Sequence, residues 1–210
     1  MKTYTLQTVK TQEVLFEGTF PSFKDCLESA VRKKITLDNV DLRHKNLSHA
    51  NLDNAVMPGA DFSHSNLNGV NLSESHLRGA VFKNATLHGA CLCYSNLSEC
   101  IFEDSSFGAT DIFGAILGRA RFSTLSCFSL NFSAALHMEE CLFVDAVGTL
   151  SKMSYPPVVI HGLSHHPLII LDQDIKEGHT TIKRESLHAL SQKLSARLRL
   201  STSEKQSTIG

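Results

Sequence analysis

The sequence has no tryptophan, and its 210 residues include only 5 prolines and 3 tyrosines. It has no apolar run long enough to cross a membrane. Met1-Lys2-Thr3-Tyr4 opens no signal-like apolar segment, so the expectation is a soluble, unexported chain working in the cytoplasm. The six cysteines are scattered, with neither framework spacing nor a CxxC pair, which excludes a disulfide scaffold and points to a reducing compartment. An excess of charge is also missing. The net charge is −1, so neither direct nucleic-acid binding nor a membrane partner is expected. No Ser/His/Asp or Cys/His signature, phosphate-cradling glycine loop or EF-hand occurs. No catalytic residue, no cofactor and no enzymatic activity is expected.

What is present is a period of five. Stepping from Leu37 by fives gives Leu37, Leu42, Leu47, Leu52, Met57, Phe62, Leu67, Leu72, Leu77, Phe82, Leu87, Leu92, Leu97, Phe102, Phe107, Ile112, Leu117, Phe122, Cys127 and Phe132, all apolar. At the chain's apolar content, chance gives this about once in 10⁷ to 10⁸ tries, so the period is a structural unit. Two residues before most centres the side chain is small, as in Ala50, Ala60, Ser65 and Ser75. The residue just before is often Asp or Asn, and two residues after it Gly or Asn recurs, as in Asn39, Gly59 and Gly79.

Five fits neither the 3.6 of a helix nor the 2.0 of a strand. It fits a chain that runs straight for three residues and then turns a corner, where Gly or Asn adopts positive φ at low cost. Four sides close a square of about twenty residues, each sending one large and one small side chain inward. Stacked squares pair their backbones about 4.8 Å apart. Stepping by twenty then stacks Phe62, Phe82, Phe102 and Phe122 as core filling, and it sets His44 over His64 near 5 Å.

Runs such as Ala50-Asn51-Leu52-Asp53-Asn54 and Ala60-Asp61-Phe62-Ser63-His64 resemble the pentapeptide repeat family. The resemblance implies an all-β solenoid, a right-handed quadrilateral β-helix of about five to six coils, with an N-terminal helical cap and a C-terminal strand/helix appendage. Val14-Leu15-Phe16-Glu17-Gly18, Pro156-Pro157-Val158-Val159-Ile160 and Pro167-Leu168-Ile169-Ile170 resemble the flanks of members carried by bacteriophages and related bacteria. That subgroup would place the protein in a host cytoplasm.

Four segments follow. Residues 1–34 read as two short strands and a helix, opened by the capping box Ser22-Phe23-Lys24-Asp25 and ended by Arg32-Lys33-Lys34. That helix is the natural cover for an open solenoid end. Residues 35–147 are the solenoid. Within it Lys45 occupies a small inward position, and past Leu125 the pattern coarsens, with His137 at a centre and Glu140 facing inward. Residues 148–184 read as capping strands around Val158-Val159-Ile160 and Leu168-Ile169-Ile170-Leu171. Residues 185–210 read as an amphipathic helix and polar tail. Leu187, Leu190, Leu194 and Leu198 form one stripe of that helix, suited equally to covering the solenoid and to a homodimer.

The eleven histidines invite a metal search. His44 and His64 sit at a corner, and His161, His165 and His166 share a loop, but neither set has the carboxylate or thiolate partners of a site. Cys91-Leu92-Cys93 directs two thiols outward with no second pair beside it. No metal site is expected.

Function is therefore expected on the surface, as binding to an unidentified protein partner. The alternative implied by the family is a DNA mimic occupying the DNA-binding surface of DNA gyrase or another host DNA-handling enzyme. Residues 35–147 carry a net −6, whereas a duplex of the solenoid's length, about 26 Å, carries about 15 charges. The match improves locally. Residues 99–147 carry a net −5, and Glu99, Glu103, Asp104 and Asp111 form the candidate acidic surface. Glu99, Arg119 and Glu139 share one corner on successive coils, however, and a ladder of that kind cancels its own field. Gyrase-active relatives also owe part of their effect to loops interrupting the coils, and none interrupts Ile35 to Phe132 here.

Overall fold

A corner every five residues requires a left-handed backbone at a fixed position, and the chain supplies it whatever the side chain. In the computed structural model, which describes residues 1–162, 165–183 and 195, every fifth residue from Asn39 to Arg119 has φ between 52 and 72°. His44, Glu74, Tyr94, Ala109 and Arg119 take this conformation alongside the expected Gly and Asn. Each such residue costs about 1 kcal/mol relative to glycine. Coil-to-coil pairing offsets that cost. Leu47 N–H donates to Asn66 at 2.8 Å and Asn66 N–H to Lys45 at 3.0 Å, and this pattern repeats around the square. Parallel bridges link residues twenty apart, from Asp41↔Asp61 to Asn96↔Ile116.

The pentad positions acquire their chemistry from this geometry. All twenty centres are at most 4% exposed. The Asp or Asn before a centre accepts the N–H two residues on, as Asp61 does from Ser63 at 2.9 Å and Asn96 from Ser98 at 3.1 Å. That Asx turn is why those two residue types recur there. The small inward position tolerates Ser, Thr or Cys because each donates back to a carbonyl of the previous coil. Ser75 bonds Leu52 at 3.1 Å, Thr110 bonds Leu87 at 2.6 Å and Cys100 bonds Leu77 at 3.0 Å. The phenylalanine ladder stacks at 4.8, 4.8 and 5.3 Å from Phe62 to Phe122, and His44 lies on His64 at 4.8 Å.

Before the solenoid, β1 (Lys2–Gln7) and β2 (Val14–Phe20) form an antiparallel hairpin, and α1 (Phe23–Arg32) follows. The Ser22 hydroxyl accepts Asp25 N–H at 3.2 Å, the expected N-cap. Cys26, Leu27 and Ala30 of α1 join the same apolar core as the first coil. Lys45 leaves that coil regular. It lies where no coil precedes it, and its ammonium sits 4.7 Å from the centre of the Phe23 ring of α1.

The coarsened region is a shift of frame. Bridges change from twenty to twenty-one residues, Ile116↔His137 and Arg121↔Leu142. β3 (Ile101–Phe102) and β4 (Arg121–Ser123) still pair twenty apart, so the extra residue lies beyond Ser123. It is taken up around α2 (Thr124–Cys127) and a 3₁₀ turn at Phe132–Ala134. Met138 is thus the buried centre in place of His137, and Glu140 is an exposed corner at φ 56°, not inward. Regular pairing resumes at β5 (Cys141–Val144), which continues the parallel stack on β4. β6 (Leu150–Met153) then pairs antiparallel with β5.

A second sheet, all antiparallel, has the order β10 (Thr180–Lys183), β9 (Asp174–Glu177), β8 (Leu168–Ile170), β7 (Val158–Ile160). The sequence reading located β7 and β8 and missed the other two. An ion pair joins this sheet to the end of the solenoid. Lys176 Nζ donates to Asp145 Oδ2 at 3.0 Å and to Thr181 Oγ1 at 2.8 Å, with Lys176 only 2% exposed. The leucine stripe Leu187, Leu190, Leu194, Leu198 lies outside the described residues.

Candidate interaction surface

Alternation along each side sends the residues flanking every centre outward, so the four outer faces are ladders of side chains one coil apart. The acidic candidates fall on these ladders beside cations. Glu99 Oε1 contacts Arg78 at 3.0 Å and Arg119 from the next coil. Hydrogen bonding to Arg78, against some desolvation and with help from Arg119, holds the Glu99 carboxyl below its ordinary range. Glu103 is 8% exposed and bridges Lys83 at 2.7 Å and Arg121 at 2.6 Å. Asp104 accepts the Ser123 hydroxyl at 3.2 Å, and Asp111 accepts Phe113 N–H at 2.9 Å. Glu139 lies 3.8 Å from His137. Two of the four acidic candidates are thus each flanked by two basic groups supplied by the fold itself.

Charge reading missed an aromatic corner. Tyr94 and Phe113 are 61% and 57% exposed and meet edge-to-face, with centroids 5.5 Å apart. The Tyr94 ring lies across Gly114, where an added Cβ would come within 2.6 Å of Tyr94 Cδ1. That glycine seats the ring on the next coil. Leu136, on the coil after Phe113, is 68% exposed. Glu74 stands one coil before Tyr94 at the same corner, exposed, as is Asp111. The recognisable signal was two aromatics at outward pentad positions nineteen residues apart, which pentad geometry places on adjacent coils.

Beneath this corner Cys91 and Cys93 flank the buried Leu92 on one straight side, and their sulfurs lie 3.1 Å apart. Among the described residues no group of three or more His, Cys, Asp and Glu could hold a metal ion, and no helix is long and apolar enough to cross a membrane.

Stacked square coils with their ladders define a β-solenoid. The family model for pentapeptide repeats matches residues 35–73 and 63–98. Residues 35–98 thus carry pentapeptide repeats. Among solved structures the chain is similar to the pentapeptide repeat protein Rfr23 from the cyanobacterium Cyanothece 51142, at 29% identity over 41% of this chain and 58% of that one, with a TM-score of 0.40. It is similar to HetL from Nostoc sp. strain PCC 7120, described as involved in heterocyst differentiation regulation, at 25% identity over 53% and 45%, TM-score 0.37. A third similarity is to QnrB1, described as a plasmid-mediated fluoroquinolone resistance protein, at 16% identity over 49% and 65%, TM-score 0.30. The match thus covers less than two thirds of each of these structures. No curated protein matches.

Proposed function

We propose that this chain is a non-catalytic, cytoplasmic interaction module. Its solenoid serves as a rigid rod, α1 serves as the N-terminal cap, and a protein partner docks on the Tyr94–Phe113 corner. The observation carrying this reading is that two large rings stand more than half exposed on adjacent coils that the Tyr94 N–H ties together by donating to the Phe113 carbonyl at 2.8 Å. Exposed aromatics on a rigid support lose little entropy on binding and dominate interface energetics. Glu74 and Asp111 beside the rings favour a partner presenting an apolar side chain next to a lysine or arginine. The competing DNA-mimic reading is weakened because Glu99 and Glu103 are already paired with Arg78, Arg119, Lys83 and Arg121.

The test compares capture by the unmodified chain with capture by Tyr94→Ala/Phe113→Ala and by Glu74→Lys. A partner bound by the first and lost by both variants supports the reading. A partner retained by the double variant removes it. In parallel, inhibition of gyrase supercoiling that survives the double variant and is lost in Asp104→Asn/Asp111→Asn would put the DNA mimic in its place. Glu103→Lys is unsuited to that purpose, because it would bring a third cation against Lys83 and Arg121.

A further inference from the structure

The chain has six thiols, and the fold separates them into two kinds. Cys26, Cys100, Cys127 and Cys141 are buried in the core, and Cys100 and Cys141 donate to the Leu77 and Leu117 carbonyls at 3.0 Å. Cys91 and Cys93 are half-exposed on an outer face with their sulfurs 3.1 Å apart. The straight side of the square imposes this arrangement, because residues two apart on an extended segment point the same way. Leu92 between them is fully buried, which anchors the segment. The Ser73 hydroxyl of the preceding coil lies 3.1 Å from Cys91 Sγ, and Asp111 of the following coil pairs in a β-bridge with Cys91.

We propose that Cys91 and Cys93 are a modification site, a dithiol that a hydroperoxide closes reversibly to an intrachain disulfide. The proposal is independent of the docking reading.

Three features favour oxidation over metal capture. Two thiolates on tetrahedral zinc stand about 3.8 Å apart and need further ligands, whereas these sulfurs are closer and, among the described residues, they belong to no group of three side chains that could hold a metal ion. The two thiols are also unequal. Burial opposes ionisation of Cys91, but hydrogen bonds from Ser73 and Cys93 outweigh it and hold its pKa below the ordinary thiol value. Cys93 is pushed up to about 12, by burial first and then by its bonds to Cys91 and Asp111. Cys91 is therefore the attacking thiolate and Cys93 the resolving thiol. Finally, two Cα atoms along an extended segment are about 6.6 Å apart, near the upper limit for a disulfide, so the bond would be strained and readily reduced.

The step balances. The Cys91 thiolate attacks one peroxide oxygen, the O–O bond breaks, and with a proton the departing oxygen leaves as water or alcohol. The sulfenic acid on Cys91 is then attacked by Cys93 sulfur. The S–S bond forms, the S–O bond breaks, and the oxygen leaves as water with the Cys93 proton. Two thiols are oxidised and one peroxide is reduced.

The experiment treats the full folded chain with one equivalent of hydrogen peroxide and reads intact mass and peptide mass. The expected result is a loss of about 2 Da confined to the peptide holding both residues, reversed by dithiothreitol. Cys93→Ser should instead accumulate a Cys91 sulfenic acid trapped by dimedone. Cys91→Ser should slow peroxide consumption by about tenfold or more. Far-UV spectra of both variants check that the fold is kept. Independent oxygen addition to the two sulfurs without mass loss overturns the proposal, as does equal reactivity of Cys91→Ser and the unmodified chain.

Discussion

The Glu28 carboxylate of α1 accepts the Asn51 N–H at 2.8 Å. In the next coil Asn71 N–H finds the Ala50 carbonyl, and in the one after, Cys91 N–H finds that of Val70. Asn51 belongs to the first coil and has no such neighbour, so a side chain stands in for the missing strand. Glu28→Ala should cost about 1 kcal/mol in urea denaturation, while Glu28→Gln keeps most of it. The same substitution should speed hydrogen exchange at the Asn51 amide and leave Asn71 unchanged.

The glycine corners separate backbone cost from ring contact. An added Cβ meets nothing within 4 Å at Gly79, whereas at Gly114 it meets Tyr94. Both have positive φ, 72° and 70°. Gly79→Ala should lower stability by about 1 kcal/mol. Gly114→Ala should lower it further and shift Tyr94 fluorescence, because the ring must lift from its seat. Equal losses and an unchanged spectrum would show that the glycine has no role in placing the ring.

Phe102 is sandwiched between Phe82 and Phe122 and touched by Phe107. Phe102→Ala should cost about 3 to 5 kcal/mol in denaturant unfolding. In a solenoid each coil rests only on its neighbours, so exchange protection should fall most in the coils on either side.

The end of the solenoid should be acid-sensitive. Burial alone would raise the Asp145 carboxyl, but the Thr149 amide, the Lys176 ammonium and the Val147 amide outweigh it and keep its pKa below the ordinary value. Asp174 is lowered likewise, desolvation being outweighed by Lys183 and Ser151. A carboxyl depressed in the folded state stabilises fully above its unfolded pKa, about 4, and loses that contribution as pH falls through the folded value. Thermal midpoints should be flat from neutrality to about pH 5 and fall below about pH 4. Asp145→Asn removes the carboxylate bonded to the buried Lys176 ammonium and leaves only the non-bonded Asp174 charge nearby, a loss of about 3 kcal/mol at neutral pH.

The interior was legible because a square coil allows one solution for large side chains. Phe62 through Phe122 stack as the twenty-residue step requires, and so do His44 and His64. The frame shift near α2 was not legible, since one extra residue disguises Met138 and Glu140 as a decaying pattern. Nor was the state of the acidic surface. Net charge counts Glu103 as free, but its position between Lys83 and Arg121 depends on which residues stand one coil apart. The aromatic corner escaped because Tyr94 and Phe113 occupy unlike positions of their pentads, one at a corner and one on a straight side.

β6 runs against the direction of every coil before it. A parallel stack can add turns indefinitely, since each finished turn offers the edge its successor needs. An antiparallel strand laid on the last turn withdraws that offer, and at the opposite end Glu28 already occupies the bonding position of a preceding turn. Two molecules are thereby discouraged from joining end to end into a fibre. The ladders on the outer faces are left uncovered by either device.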